Sequence, residues 1–261
     1  MLRGIYTSAS GMLANSHVQQ MVGNNLSNVN TVGYRAQDAQ LSPFARAFLG
    51  RTGPSAMTGG AGARGFAPMG SSALGTRIAG TSVSEETGRI ERTDRPTDCA
   101  LDGPGYFAAE IGDDVGLTRA GNFRFTEDGY LCTESGHRLL GLEGPIRVGE
   151  GDVRIESDGG VISEGQQVGV LAVVVPREEE GLVRDERAGF LRLEGRGGAE
   201  MLESLEDRTD TSILGGHLEF SNVDLVDEMT RMMTTLRSYG SNHTAFRIQD
   251  EATGEAIRMT D

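Results

Sequence analysis

The sequence predicts an α+β chain in which two long terminal helices bracket an all-β middle domain. Three observations predict it. Apolar residues recur at alternating steps of three and four at both ends. Short β-rich runs divided by turn signals lie between them. Glycine is abundant, 38 of 261 residues, and tryptophan is absent, a composition of many turns and short strands. The expected parts are 1–35, a helix with an asparagine-rich exit; 36–75, a Gly/Ala/Ser-rich extended arm or linker; 76–219, the β domain; and 220–261, the second helix.

The first helix carries a stripe at Leu2, Ile5, Ala9, Met12, Ser16, Gln19, Gly23 and Leu26, the spacing of a heptad seam. The seam turns small and polar toward its far end, and no carboxylate precedes Asp38. The stretch GNNLSNVNTVGYR follows, with Asn24, Asn25, Asn28 and Asn30 close together. Asparagine is a poor interior helix residue, because its amide competes for backbone hydrogen bonds. It tolerates left-handed conformations and bonds backbone groups freed at a helix end. Gly33 adds a permissive position, and Tyr34 an anchor for the departing chain. The stretch reads as a helix exit of fixed geometry; a frayed helix end is the other reading.

The arm RTGPSAMTGGAGARGFAPMGSSALG cannot build a core alone. Beyond it, candidate strands are Tyr106–Ile111, Asn122–Thr126, Tyr130–Thr133, Val153–Glu156 and Val168–Val175, separated by turns such as Glu127-Asp128-Gly129. The last helix has a capping-box-like start, Ser221 with Asp224, and Asp227 and Glu228 suit its positive end. Its seam runs Leu225, Met229, Met232, Leu236, Tyr239, His243, Phe246, Asp250, Thr253 and Ile257. Some forty helical residues would reach about 60 Å. Arg247 and Arg258 suit the negative end.

Such seams make a poor two-stranded coiled coil. Ala9, Gly23 and Gly240 permit close backbone approach, and Leu13, Val22, Val226 and Met233 give each helix a second apolar face. The helices therefore contact several neighbours, or else pair within one chain.

Composition excludes several classes. A net charge of −14 opposes general nucleic-acid binding and docking on anionic lipid. No apolar run is long enough to span a membrane. The N-terminus has none of the features of a cleaved secretory signal, which alone would suggest the cytoplasm. Cys99 and Cys132 sit in strand-like apolar contexts and read as buried small hydrophobes, with a disulfide or reactive thiol as the alternative.

Patterns that could carry chemistry are weak. Gly103-Pro104-Gly105-Tyr106-Phe107-Ala108 has dinucleotide spacing, but a strand follows where phosphate binding needs a helix N-terminus. Cys132 and His137 lack an orienting third group. The four histidines are dispersed, Asp113-Asp114 lacks a calcium-loop pattern, and REEEG at 177–181 reads as a solvated hairpin loop. No catalytic, cofactor or metal site is expected.

GNNLSNVNTVGYR and the preceding YTSASGML closely resemble the N-terminal signature of flagellar rod and hook proteins. CALDGPGYFAAE (99–110), TRAGNFRFTEDGYLCTESGHRLLG (118–141) and LEFSNVDLVDEMTRMMTTLRSYGSN (218–242) resemble further blocks of that family in the same order. Within the family, length and domain order are most like the distal rod component, with the more proximal one as the alternative. LRSYGSN departs from the family pattern, with Gly240 where a helix former is common.

The resemblance implies a structural subunit of the flagellar basal body. It would be exported by the flagellar type III apparatus without a cleaved signal and would assemble with copies of itself and with other rod and hook subunits. Terminal helices would order on assembly into a tube that the β domain decorates, transmitting motor torque to the hook. The assembly residues it implies are Leu2, Ile5, Ala9, Met12, Asn24, Asn25, Leu26, Asn28, Val29, Asn30, Gly33 and Tyr34 at one end. At the other they are Asn222, Leu225, Val226, Met229, Met232, Met233, Leu236, Tyr239 and Phe246. Two rival classes are an exported hydrolase with helical tails and a self-contained binding module whose helices pair within one chain.

Overall fold

The computed structural model describes residues 2–44, 46–54, 64–73, 75–112, 114–149, 153–175, 182–184, 190–193 and 211–259; the side chains of Leu2, 46–54, 64–73, Val183 and Leu193 are outside the description. Asp113 and the 177–181 loop lie outside the described residues. Helix α1 is Leu2–Ser27 and helix α2 is Leu225–Arg258. Between them come β1 Gln37–Pro43, β2 Arg46–Pro54, β3 Arg64–Ala73, β4 Thr76–Val83, β5 Ile90–Arg92, β6 Cys99–Asp102 and β7 Tyr106–Ile111. Next are β8 Asp114–Thr118, β9 Arg124–Phe125, β10 Leu131–Cys132, β11 Leu140–Gly141, β12 Gly144–Pro145, β13 Val153–Ile155 and β14 Gly160–Ser163. The series closes with β15 Gln166–Val170, β16 Val173–Val174, β17 Leu182–Arg184, β18 Leu191–Leu193, β19 Ser212–Gly215 and β20 His217–Glu219. The chain is thus α+β.

Two compact units partition the chain: 1–23 with 39–81 and 229–261, and 24–38 with 82–228. In the first, the described part of the Gly/Ala/Ser-rich stretch is strand. β1 pairs with β4, and β2 runs antiparallel to β3, with Arg46 opposite Ala73 and Pro54 opposite Arg64. A backbone ladder needs no large side chains, so a stretch too poor to build a core still forms a ribbon. Residues 55–63 of that stretch lie outside the described residues.

The helices of this unit touch through polar side chains. Asn15 Nδ2 donates to Ser238 Oγ at 3.0 Å, and Ser8, Ala14, Val18, Val22 and Thr235 are buried. Met229, Leu236 and Tyr239 on the expected seam are exposed. Helix α2 has 34 residues, fewer than the expected forty, because it starts at Leu225.

The second unit holds the β core. Its largest sheet has the order β16-β7-β8-β18-β17 with every pairing antiparallel. Tyr106 to Ala109 on β7 are all buried. A strand covered on both faces explains why this run shows no polar alternation. Phe107 and Cys99 join Leu101, Phe123, Leu131 and Leu139 in one cluster, whereas Tyr106 and Ala108 join Leu117 and Val174 in another. The Phe107 and Phe123 rings meet edge-on at 5.2 Å and 82°.

Both cysteines are buried and unbridged. Burial, with the charge of Asp98 adding to it, pushes the Cys99 thiol well above its ordinary value.

Phe107→Ala removes a fully buried ring and its aromatic partner contact. The expected cost is about 3–5 kcal/mol, read as a shift of the chemical unfolding midpoint of the β-rich unit.

Candidate functional site: an asparagine-built helix exit and an open apolar stripe

Helix α1 ends where asparagine side chains take over its last acceptors. Asn28 Nδ2 donates to the main-chain oxygen of Asn24 at 2.7 Å, and Asn28 N donates to Asn25 O at 3.0 Å. Thr31 Oγ1 donates to Asn28 Oδ1 at 3.1 Å, which closes the turn. Gly33 then adopts φ 67°, and its N–H donates to Glu219 O at 2.7 Å. A Cβ at Gly33 would run into the backbone of Arg119 and Ala120, so both conformation and space demand glycine.

Asn25 organises this exit, and it is fully buried. Its Oδ1 accepts from Tyr34 Oη at 3.1 Å and from Gln37 N at 3.0 Å. Its Nδ2 donates to Gln37 O at 3.0 Å and to Glu228 Oε1 at 2.8 Å. By engaging both main-chain groups of Gln37, the amide acts as one rung of a strand and fixes the chain path between residues 25 and 37. The Arg184 guanidinium lies 4.3 Å from the Tyr34 ring centroid and donates to Arg35 O at 3.0 Å. Burial raises the Tyr34 phenol above its ordinary value, while nearby Arg184 opposes the shift.

Asn222 is the matching clamp on the C-terminal side. Its Oδ1 accepts from Ala36 N at 2.8 Å, and its Nδ2 donates to Glu86 O at 2.9 Å. Asp224, not Ser221, caps α2: its Oδ1 accepts from Val226 N at 2.8 Å and Asp227 N at 3.1 Å. Ser221 Oγ instead accepts from Val223 N at 3.3 Å. The contacts of Asn222 hold the preceding residues out of the helix, so the start moves to Leu225.

Beneath the exit lies a charged cluster that sequence reading misses. Glu219 is buried, with Arg35 Nη2 2.8 Å from its Oε1 as an ion pair and Arg119 Nη1 3.1 Å from its Oε2. Gly88 N also donates to Glu219 Oε1 at 3.0 Å. Arg119 also donates to Leu101 O at 3.3 Å and Gly103 O at 2.7 Å. Burial pulls the Arg119 guanidinium below its ordinary value, and Glu219 works against that. The sequence offers no local signal for it, because a glutamate flanked by apolar residues on a strand ordinarily faces solvent.

The residues expected from the sequence thus divide into groups. Asn25, Asn28, Gly33, Tyr34 and Asn222 share the exit network in the second unit, while Asn24 and Asn30 stay exposed. Leu26 and Val29 are half-buried, as are Ile5, Ala9 and Met12 on α1; the side chain of Leu2 lies outside the described residues. On α2, Leu225, Val226, Met229, Met233, Leu236 and Tyr239 leave between 38% and 69% of their surface open, and Met232 and Phe246 are half-buried. Soluble monomers rarely leave so continuous an apolar stripe uncovered. The Gly103–Gly105 loop leads into β7, so it lacks the helix N-terminus that would cradle a phosphate.

This arrangement defines a structural protein that assembles, with a packed β body, a locked helix exit and helices that present apolar surface. Family comparison narrows the class. Residues 5–35 match the model described as flagella basal body rod protein, 100–163 the flagellar hook protein FlgE/F/G D1 domain, and 214–259 the flagellar basal body rod FlgEFG protein C-terminal region. The flagellar basal-body rod protein FlgG of Bacillus subtilis is 30% identical over 271 residues, covering 99% of each chain. FlgF of Rhizobium meliloti is 26% identical over 260 residues, covering 98% of this chain and 97% of its own. FlgF of Salmonella typhimurium is 29% identical over 267 residues, with 98% and 97% covered. The chain belongs to the flagellar basal-body rod protein family and is a structural subunit of that rod.

Asn25→Leu removes the hydrogen bonds to both main-chain groups of Gln37, to the Tyr34 hydroxyl and to Glu228 Oε1, at about 1–3 kcal/mol for each buried group left unsatisfied. Differential scanning calorimetry should show a lower melting temperature for the β-rich unit. Glu219→Ala strands two buried guanidiniums and should cost about 3–5 kcal/mol in urea unfolding, more than a single buried hydrogen bond.

Proposed function

We propose that the chain polymerises through α1 and α2 into the drive shaft that carries motor torque to the hook. In this reading residues 1–35 and 220–261 are the assembly modules, 36–75 an arm and 76–219 the decorating β domain. Ile5, Ala9 and Met12 on α1, with Leu225, Met229, Met232, Leu236 and Tyr239 on α2, meet neighbouring subunits. Pairing of the two helices as a coiled-coil-like module belongs to the same reading.

The observation that carries it is the open stripe on α2. Burying apolar surface contributes about 25 cal/mol per Å², so a stripe left in water across a folded chain is a standing drive toward association. Two different faces serve, one on each helix. Contacts between unlike patches extend into tubes and filaments wherever the rotation between neighbours does not close a ring.

Export through the flagellar type III apparatus follows from this assignment. We assign the chain to the distal rod. The more proximal position is the second reading, because relatives bearing the FlgF and FlgG names both align along nearly the whole chain.

Leu236→Asp tests the reading, since Leu236 is 52% exposed and its replacement disturbs little in the folded chain. The expected outcome is an unchanged melting curve with loss of swimming and of incorporation into purified basal bodies. Normal incorporation of the variant would sink the helix-driven assembly.

A further inference from the structure

Helix α1 places Gly4 and Gly11 seven residues apart, and α2 places Asn242 and Gln249 at the same spacing. A Cβ at Gly11 would stand 2.7 Å from Asn242 Nδ2, and one at Gly4 would overlap the Gln249 amide. Each amide therefore occupies the space that a side chain on the opposite helix would need. One turn beyond the Gly11 seat, Asn15 donates to Ser238 at 3.0 Å. The order of partners shows that the helices run antiparallel.

These glycines are not incidental. An interior helix glycine costs about 1 kcal/mol against alanine. At Gly23, Gly240 and Gly254 a Cβ would meet open space, so close approach singles out Gly4 and Gly11. The row that meets α1 is polar, whereas the apolar residues Met229, Met233 and Leu236 lie exposed on another face.

We propose that Asn242 and Gln249 are register-setting residues, seated on Gly11 and Gly4, that select one antiparallel alignment of the terminal helices. This proposal rests on the reading that those helices pair in the assembled rod. Apolar side chains tolerate a slip of one turn, because one greasy contact replaces another. An amide does not, and polar residues at seam positions are known to fix register for that reason. A slip of one turn carries Asn242 from Gly11 to Ser8 or Asn15, where a Cβ blocks the seat. Register in turn decides how far along α1 the open stripe of α2 is displayed to neighbours.

The test is an exchange of the two partners in the full chain, expressed in a host lacking its own copy. Gly11→Asn fills the seat and should abolish swimming and incorporation into basal bodies. Adding Asn242→Gly moves the seat to the other helix and should restore both. Wild-type incorporation of Gly11→Asn, or failure of the double exchange to recover it while the β-rich unit still melts normally, overturns the proposal. Leu236→Asp measured alongside separates the two claims. If it blocks incorporation while Gly11→Asn does not, only the register assignment falls; if neither blocks it, helix-driven assembly falls too.

Discussion

The structure depends first on how the single amide of Asn25 is satisfied. It sits where no water reaches and meets a phenol, a carboxylate and both main-chain groups of Gln37. An aspartate would have no N–H for Gln37 O or for Glu228, and a glutamine would carry the amide one bond too far. A buried amide satisfied at both atoms is worth keeping, whereas one half-satisfied costs more than an apolar side chain. Because its partners come from the turn, strand β1 and the first turn of α2, the path of all three is decided together. Glu219 plays the complementary part with charge, since two buried guanidiniums hold their places only while it stands between them.

Much of this was legible in the sequence, for identifiable reasons. The long helices announce themselves by spacing, and β7 by the apolar run Tyr106–Ala109 at its start, with the boundaries the structure has. The asparagine cluster signalled a built exit because asparagine has few other uses at a helix end. What stayed hidden is pairing between distant segments. Nothing local to Arg35, Arg119 or Glu219 says that they meet, and Asn222 hides the true cap by occupying the residues around Ser221. Periodicity marks apolar stripes and yet cannot tell which face of a helix its own chain claims.

That division follows from energetics. Helix α1 has no acidic residue in its first turn, carries Arg3 at the positive end, and contains Gly4, Gly11 and Gly23. Alone it would be a marginal helix, so its stability comes from what it touches.

The sealed thiols carry a last implication. Cys99 and Cys132 are enclosed by strand residues, and burial disfavours the thiolate of Cys99 that an oxidant would attack. Copies of the molecule brought close together in an oxidising compartment would therefore have no sulfur bridge open to them. Burial of both sulfurs works against accidental disulfides between neighbouring copies.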